Sequence, residues 1–195
     1  MQGLNTSLRP PSFVGGSRMP PRSSLAWTAA LVLVAGALGV AQSAKQAPAG
    51  APSIGGLAAA GEPGRAIKVS GVVVDSAGAS VRDASIYAYQ TDAEGYYGVK
   101  PVSDSQNPRL KIFLRSDAQG AWSFDTIKPG SYPNSKAPAH IHFEVSAPGF
   151  APRFFEIVFE GDPFVTDEMR RNRAFSVRSI DAGGRVTEKI VLQRQ

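Results

Sequence analysis

The sequence contains no cysteine. That excludes a disulfide framework, a thiolate metal site and a cysteine nucleophile, so any metal must be held by nitrogen and oxygen. Only two histidines are present, His140 and His142. Long hydrophobic runs are equally scarce, the one of note being the uncharged stretch Leu25–Ala41. A strong charge imbalance is missing too. The formal net charge is +5, but three of the 21 basic residues and none of the 16 acidic ones fall within the first 44 positions, which leaves a balance of +2 for the rest. A near-neutral domain gives no electrostatic argument for nucleic acid. The Arg170, Arg171, Arg173 cluster reads as a solvated turn or helix end.

The apolar stretch follows Arg9, Arg18 and Arg22 and precedes small residues, the layout of a secretory signal. Residues 1–44 are therefore expected to be a signal peptide cleaved near Ala41 or Ala44, with Met1 or Met19 as the start. The alternative is an uncleaved anchor, since 17 residues lie at the short limit for a span. Export to a periplasmic or extracellular location is expected, with no stable membrane partner beyond that segment. Residues 45–64 are rich in Ala, Gly and Pro and read as a flexible linker.

From Arg65 to Gln195 the texture changes. Ile67–Asp75, Ser85–Gln90, Lys111–Arg115, Ala121–Phe124, His140–Ser146, Arg153–Phe159, Ala174–Ile180 and Val186–Leu192 read as strands. They are punctuated by Asp75-Ser76-Ala77-Gly78, Asp117-Ala118-Gln119-Gly120 and Asp181-Ala182-Gly183-Gly184. Short strands at this spacing predict an all-β fold, an antiparallel β-sandwich with long functional loops. The loops are Asp92–Pro108 and Lys128–Ala139, long enough to imply a function.

In a strand, His140 and His142 share one face, while Ile141, Phe143 and Val145 point the other way into a core. Two neutral imidazoles so placed are a ready pair of metal ligands. The plainer alternative makes His140, His142 and Glu144 the solvated face of a half-buried strand. Both long loops carry tyrosines beside glycine or proline: Gly95-Tyr96-Tyr97-Gly98 in the first and Tyr132 in the second. These are either packing lids or ligands. Two phenolates with two imidazoles form a hard, anionic set suited to Fe(III), provided all four converge.

Between Gly71 and Leu192 the sequence resembles the intradiol ring-cleavage dioxygenases. The motifs are Gly71-Val72-Val73-Val74-Asp75, Tyr89-Gln90-Thr91-Asp92-Ala93-Glu94-Gly95-Tyr96-Tyr97, Ser116-Asp117-Ala118-Gln119-Gly120, Thr126-Ile127-Lys128-Pro129-Gly130-Ser131-Tyr132-Pro133, Pro138-Ala139-His140-Ile141-His142-Phe143 and Gly161-Asp162-Pro163. The first is shared with many secreted β-sandwich modules; the last Tyr-Pro and His-x-His runs are specific. The resemblance implies non-haem Fe(III) held by Tyr97, Tyr132, His140 and His142. It also implies a catechol-type substrate and O2, with Tyr132 leaving the metal to accept a substrate proton. Tyr96 falls outside the pattern. Where the family usually carries Arg three residues before the first histidine this chain has Ala137, with Lys136 one step earlier. Glu156 stands where Gln is typical. These three positions are read as substrate-facing, and they predict weaker or more selective turnover unless Lys136 or Arg115 neutralises Glu156, or burial raises its pKa. The competing expectation is a non-catalytic secreted binding module, with or without iron.

Overall fold

A computed structural model describes residues 43–195. The expected signal or anchor falls almost entirely outside the described residues. Among the described residues nine strands and one short helix form the fold: β1 (Ile54–Gly56), β2 (Ala66–Asp75), β3 (Ser85–Gln90), β4 (Leu110–Arg115), β5 (Ala121–Ile127), β6 (His140–Ser146), β7 (Arg153–Phe159), α1 (Asp167–Arg171), β8 (Phe175–Arg178) and β9 (Arg185–Leu192). One sheet has the order β1-β5-β2-β9 and the other β4-β3-β6-β7-β8.

The expected β-sandwich is present, but its sheets are mixed. β1–β5, β2–β9 and β7–β8 pair in parallel. Alternation of side chains builds the core between the sheets. Ile67, Val69 and Val73 of β2 and Trp122 and Phe124 of β5 face Ile141, Phe143 and Val145 of β6 and Phe155, Ile157 and Phe159 of β7. Trp122 and Phe124 reach across to Phe143, with ring centroids 5.5 and 6.1 Å apart. The arginine cluster lies at the end of α1, where Arg170 makes a two-pronged pair with Glu160 at 2.6 and 2.8 Å.

The three expected turns share one construction. Asp75, Asp117 and Asp181 each accept, through Oδ1, the backbone N–H groups two and four residues on. Asp92 does the same for Glu94 and Tyr96 at the head of the first long loop.

Residues 45–64 are not a flexible linker. Ala44, Ala47 and Leu57 are buried, and β1 is stitched to β5. Upstream of β1 the chain lies on the outer face of the second sheet. Lys45 N donates to Glu144 Oε2 at 2.7 Å, Ala47 N donates to Ser85 Oγ at 2.7 Å, and Lys45 Nζ stands 4.7 Å above the Tyr87 ring. Arg115 donates to the carbonyls of Ala47 and Pro48 and pairs with Asp83, so it is committed there and does not neutralise Glu156. Backbone hydrogen bonding, not side-chain pattern, holds this segment, which explains its linker-like composition.

Candidate metal centre

β6 is the middle strand of its sheet, and its register sets the site. On the outer face His142 sits opposite Tyr89 on β3 and Glu156 on β7. Tyr89 stacks on the His142 ring at 4.4 Å, nearly parallel, and burial, followed by the Glu144 charge, pushes its phenol up to about 12. Glu156 Oε1 lies 3.3 Å from His142 Nδ1. Two residues earlier on the same face, His140 Nδ1 donates to Pro138 O at 2.7 Å, and Ala139 N donates to Asp162 Oδ2 at 3.0 Å, anchoring the start of β6. With both Nδ1–H groups spoken for, each imidazole presents its Nε2 lone pair outward.

The two long loops bring the tyrosines to those lone pairs. They are joined at their backbones: Gly130 N donates to Asp92 O and Thr91 Oγ1 to Gly130 O, both at 2.8 Å. The Asp92 turn then delivers Tyr97, whose carbonyl accepts from Arg109 N at 2.7 Å. Arg109 itself is clamped by Glu62 through two contacts of 2.7 Å. Gly95 has φ +91°, and a Cβ on it would stand 2.0 Å from Ser131 O. Gly95→Ala should therefore force the loops apart. We expect a loss of about 1–3 kcal/mol in stability from the clash and at least a tenfold fall in metal affinity, read by calorimetry and metal analysis.

Tyr97 Oη lies 2.6 Å from His142 Nε2, and Tyr132 Oη lies 2.8 Å from His140 Nε2 and 3.4 Å from His142 Nε2. The two Nε2 atoms are 3.0 Å apart, and the two phenol oxygens also touch. Atoms held about 2.0–2.2 Å from one ion, at roughly right angles or somewhat wider, have mutual separations of roughly 2.8–3.6 Å. The donors fall in or close to that range. Two phenol protons satisfy the two Nε2 lone pairs but leave none between the two touching phenol oxygens. A cation resolves this, so the donor set fits a hard metal ion. His140, His142 and Glu156 also keep one ligand atom each within 4.8 Å of one another.

Burial, reinforced by Tyr132, pushes the Tyr97 phenol far above its ordinary value, and burial also raises Tyr132. Burial holds His140 below the usual histidine range, with His142 adding to the effect. Burial acts to raise the Glu156 carboxyl, but the hydrogen bond to His142 and the charges of both imidazoles outweigh it, so its pKa lies below the usual range. Of the alternatives for offsetting Glu156, a burial-raised pKa is not the one found: its partner is His142.

All four expected ligand residues come together. Tyr97 is buried at 3% exposure, while Tyr96 is turned outward with Lys100 Nζ 5.7 Å from its ring. Lys136 is exposed, and Ala137 N donates to Ser135 Oγ; among the described residues neither bonds to the four donors. Sequence reasoning gave no role to Tyr89, Asp162 or the close approach of Gly95 to Ser131. The repeated Asp-x-x-Gly turn, recurring at Asp92, is the signal that marks the last of these.

Fold and site together describe a β-sandwich that gathers four candidate metal donors, Tyr97, Tyr132, His140 and His142, on the outer face of one sheet. A family model described as "Dioxygenase" matches residues 55–190. The chain belongs to this family, the intradiol ring-cleavage dioxygenases. It is 36% identical over 141 residues to the protocatechuate 3,4-dioxygenase beta chain of Burkholderia cepacia, covering 62% of this chain and 60% of that one. It is 32% identical over 127 residues to hydroxyquinol 1,2-dioxygenase of Rhodococcus opacus, covering 57% of this chain and 42% of the relative. The chain thus spans only part of the length of either relative. In fold it is similar to catechol 1,2-dioxygenase of Acinetobacter sp. ADP1, with a TM-score of 0.59, 19% identity and 76% and 62% of the two chains covered. It is also similar to the dioxygenase domain of a dioxygenase carbohydrate-binding protein fusion from Streptomyces sp. SirexAA-E, with a TM-score of 0.57, 22% identity and 79% and 100% covered.

Proposed function

We propose that the protein is an exported, Fe(III)-dependent intradiol dioxygenase that opens a catechol-type ring with O2. The observation that carries this reading is the convergence of Tyr97, Tyr132, His140 and His142 within hydrogen-bond distance of one another. The bond between the two hydroxyl-bearing carbons breaks and both atoms of O2 enter the product, a muconate-type diacid. Bound there, Fe(III) supplies the Lewis-acidic, redox-active centre for this chemistry.

The protein's own groups divide the remaining work. Tyr97, buried and held through its carbonyl by Arg109, is the fixed phenol. Tyr132 is only half-buried and sits in the Pro129–Pro138 loop; held on the metal as a phenolate, it would be the ligand placed to swing away and accept a hydroxyl proton from catechol at Oη. Glu156 and Pro138 O hold the imidazoles in the tautomer that leaves Nε2 free. Ala137 offers no cation to charge developing on the substrate, and losing one such donor typically costs roughly 10²–10³ in rate.

The test is to load the purified protein with iron, record its visible spectrum, and follow O2 uptake on catechol, hydroxyquinol and protocatechuate. A red to burgundy colour, one iron per chain and a diacid product are expected. A coloured protein that consumes no O2 on any of them would leave an iron-bearing binding protein instead. Fractionation checks export separately: the uncleaved chain in the cytosol would contradict it.

A further inference from the structure

A second cleft, of about 350 Å³, lies at the far end of β7, and none of the four metal-donor residues lines it. Arg153 opens that strand opposite Val145, in the same inward-facing row as Phe155 and Ile157. Its guanidinium lies 4.7 Å from the Phe155 ring and donates to Val191 O at 3.3 Å. A guanidinium has five N–H donors. Among the described residues Arg153 forms no ion pair and no other side-chain hydrogen bond. None of its nitrogens is both fully buried and unpartnered, since among the described residues that condition is met by Trp122 Nε1 alone. The spare N–H groups are therefore accessible to solvent, and Arg153 is one of the residues that line the cleft.

The carboxylate nearby is already taken. Glu188 is held by Arg178 at 3.0 Å and by Ser176 at 2.5 Å. Arg173 stands across the cleft, exposed and without an ion pair among the described residues. Burial depresses the Arg153 pKa, and Arg173 and Arg178 add to this by repulsion while Glu188 opposes it. Arg153 is thus a half-buried cation whose nearest carboxylate, Glu188, is shared with Arg178 and Ser176 and makes no direct contact with it. The rest of the lining is mostly apolar, from Ala151, Pro152, Phe154, Ala174 and Val191, with the polar side chain of Gln193 beside them. The volume is at the small end of the range for ligand sites.

We propose that this cleft binds a small organic carboxylate, its anionic head on Arg153 and Arg173 and its apolar body against Phe154, Pro152 and Val191. The guanidinium fork matches a carboxylate in two-pronged geometry, and the apolar wall selects an organic acid over an inorganic anion. This inference stands apart from the iron reading, because it uses none of those residues.

Benzoate is the probe, titrated by calorimetry into the purified protein and its variants, with benzyl alcohol and phosphate as comparisons. Benzoate should bind, and His140→Ala should bind it equally. Arg153→Gln should weaken binding at least tenfold, as expected for a lost charge-assisted contact. Arg173→Gln, a surface change that leaves folding intact, should weaken it about threefold, and raised salt should weaken it further. The proposal is overturned if benzoate does not bind, if Arg173→Gln leaves affinity unchanged, or if His140→Ala alone abolishes binding. It is equally overturned if phosphate or benzyl alcohol binds as tightly as benzoate.

Discussion

If the proposed iron centre is right, His140→Ala should remove most of the bound iron, bleach the protein, and lower dioxygenase turnover by at least about 10³-fold, the scale expected when a group in an interdependent centre is lost. The imidazole supplies one of two neutral donors, and its Nε2 is 2.8 Å from Tyr132 Oη and 3.0 Å from His142 Nε2. Its removal leaves two phenols and one imidazole, an underfilled set for an octahedral-leaning ion. Supporting partners alone are worth about 10–100-fold in metal affinity, so a ligand should be worth more. The structural cost is smaller. Losing the Nδ1–H bond to Pro138 O and a buried ring should cost about 1–3 kcal/mol. The two effects are separable by adding free imidazole, which should restore part of the colour if the ring is a ligand. Full iron content in the variant would show that His140 lies outside the coordination sphere.

Much of this centre is legible in the sequence because its chemistry is local. His140 and His142 are two apart in a strand whose odd positions are Ile141, Phe143 and Val145, so one face is core and the other carries both rings. The turns are legible for the same reason, since an Asp side chain reaching two and four residues ahead is a contact within one short segment. What sequence pattern misses is tertiary. The parallel pairing of β2 with β9 joins Lys68 to Arg185 across more than half the domain. β1 has three residues, two of them glycine, and exists because β5 offers it a free edge. β1 has no side-chain period to betray it, and the alternation of β2 and β9 does not say which strand each will pair with.

Glu156 illustrates the same limit at the site. Beside a catechol anion it reads as an unfavourable charge. Across the strand from His142 it is a neighbour of an imidazole instead, and that register is visible only once β6 and β7 are paired. A carboxylate on Nδ1 makes the opposite nitrogen more electron-rich. The negative charge that looked like a defect toward substrate thereby strengthens a ligand.

Tyr97→Phe and Tyr96→Phe should give opposite results. Phe at 97 keeps the ring among Tyr89 and Tyr132, with centroids 5.9 and 5.7 Å away, and removes Oη alone. In the metal-free protein little should change, because Tyr132 still reaches His140 at 2.8 Å and no large cavity opens. Its melting temperature should stay within what about 1 kcal/mol produces. Metal binding is where the loss should fall. A ligand that binds only the folded state raises stability by roughly 2.7 kcal/mol at a hundred times its Kd. Tyr97→Phe should forfeit most of that iron-induced rise, along with much of the colour and at least about 10³-fold in turnover. Tyr96 faces away, under Lys100, so its Phe variant should keep the iron, the colour and the rise. Melting curves with and without iron decide between them. Retained iron stabilisation in Tyr97→Phe, or its loss in Tyr96→Phe, would mean that the first phenolate ligand is wrongly assigned.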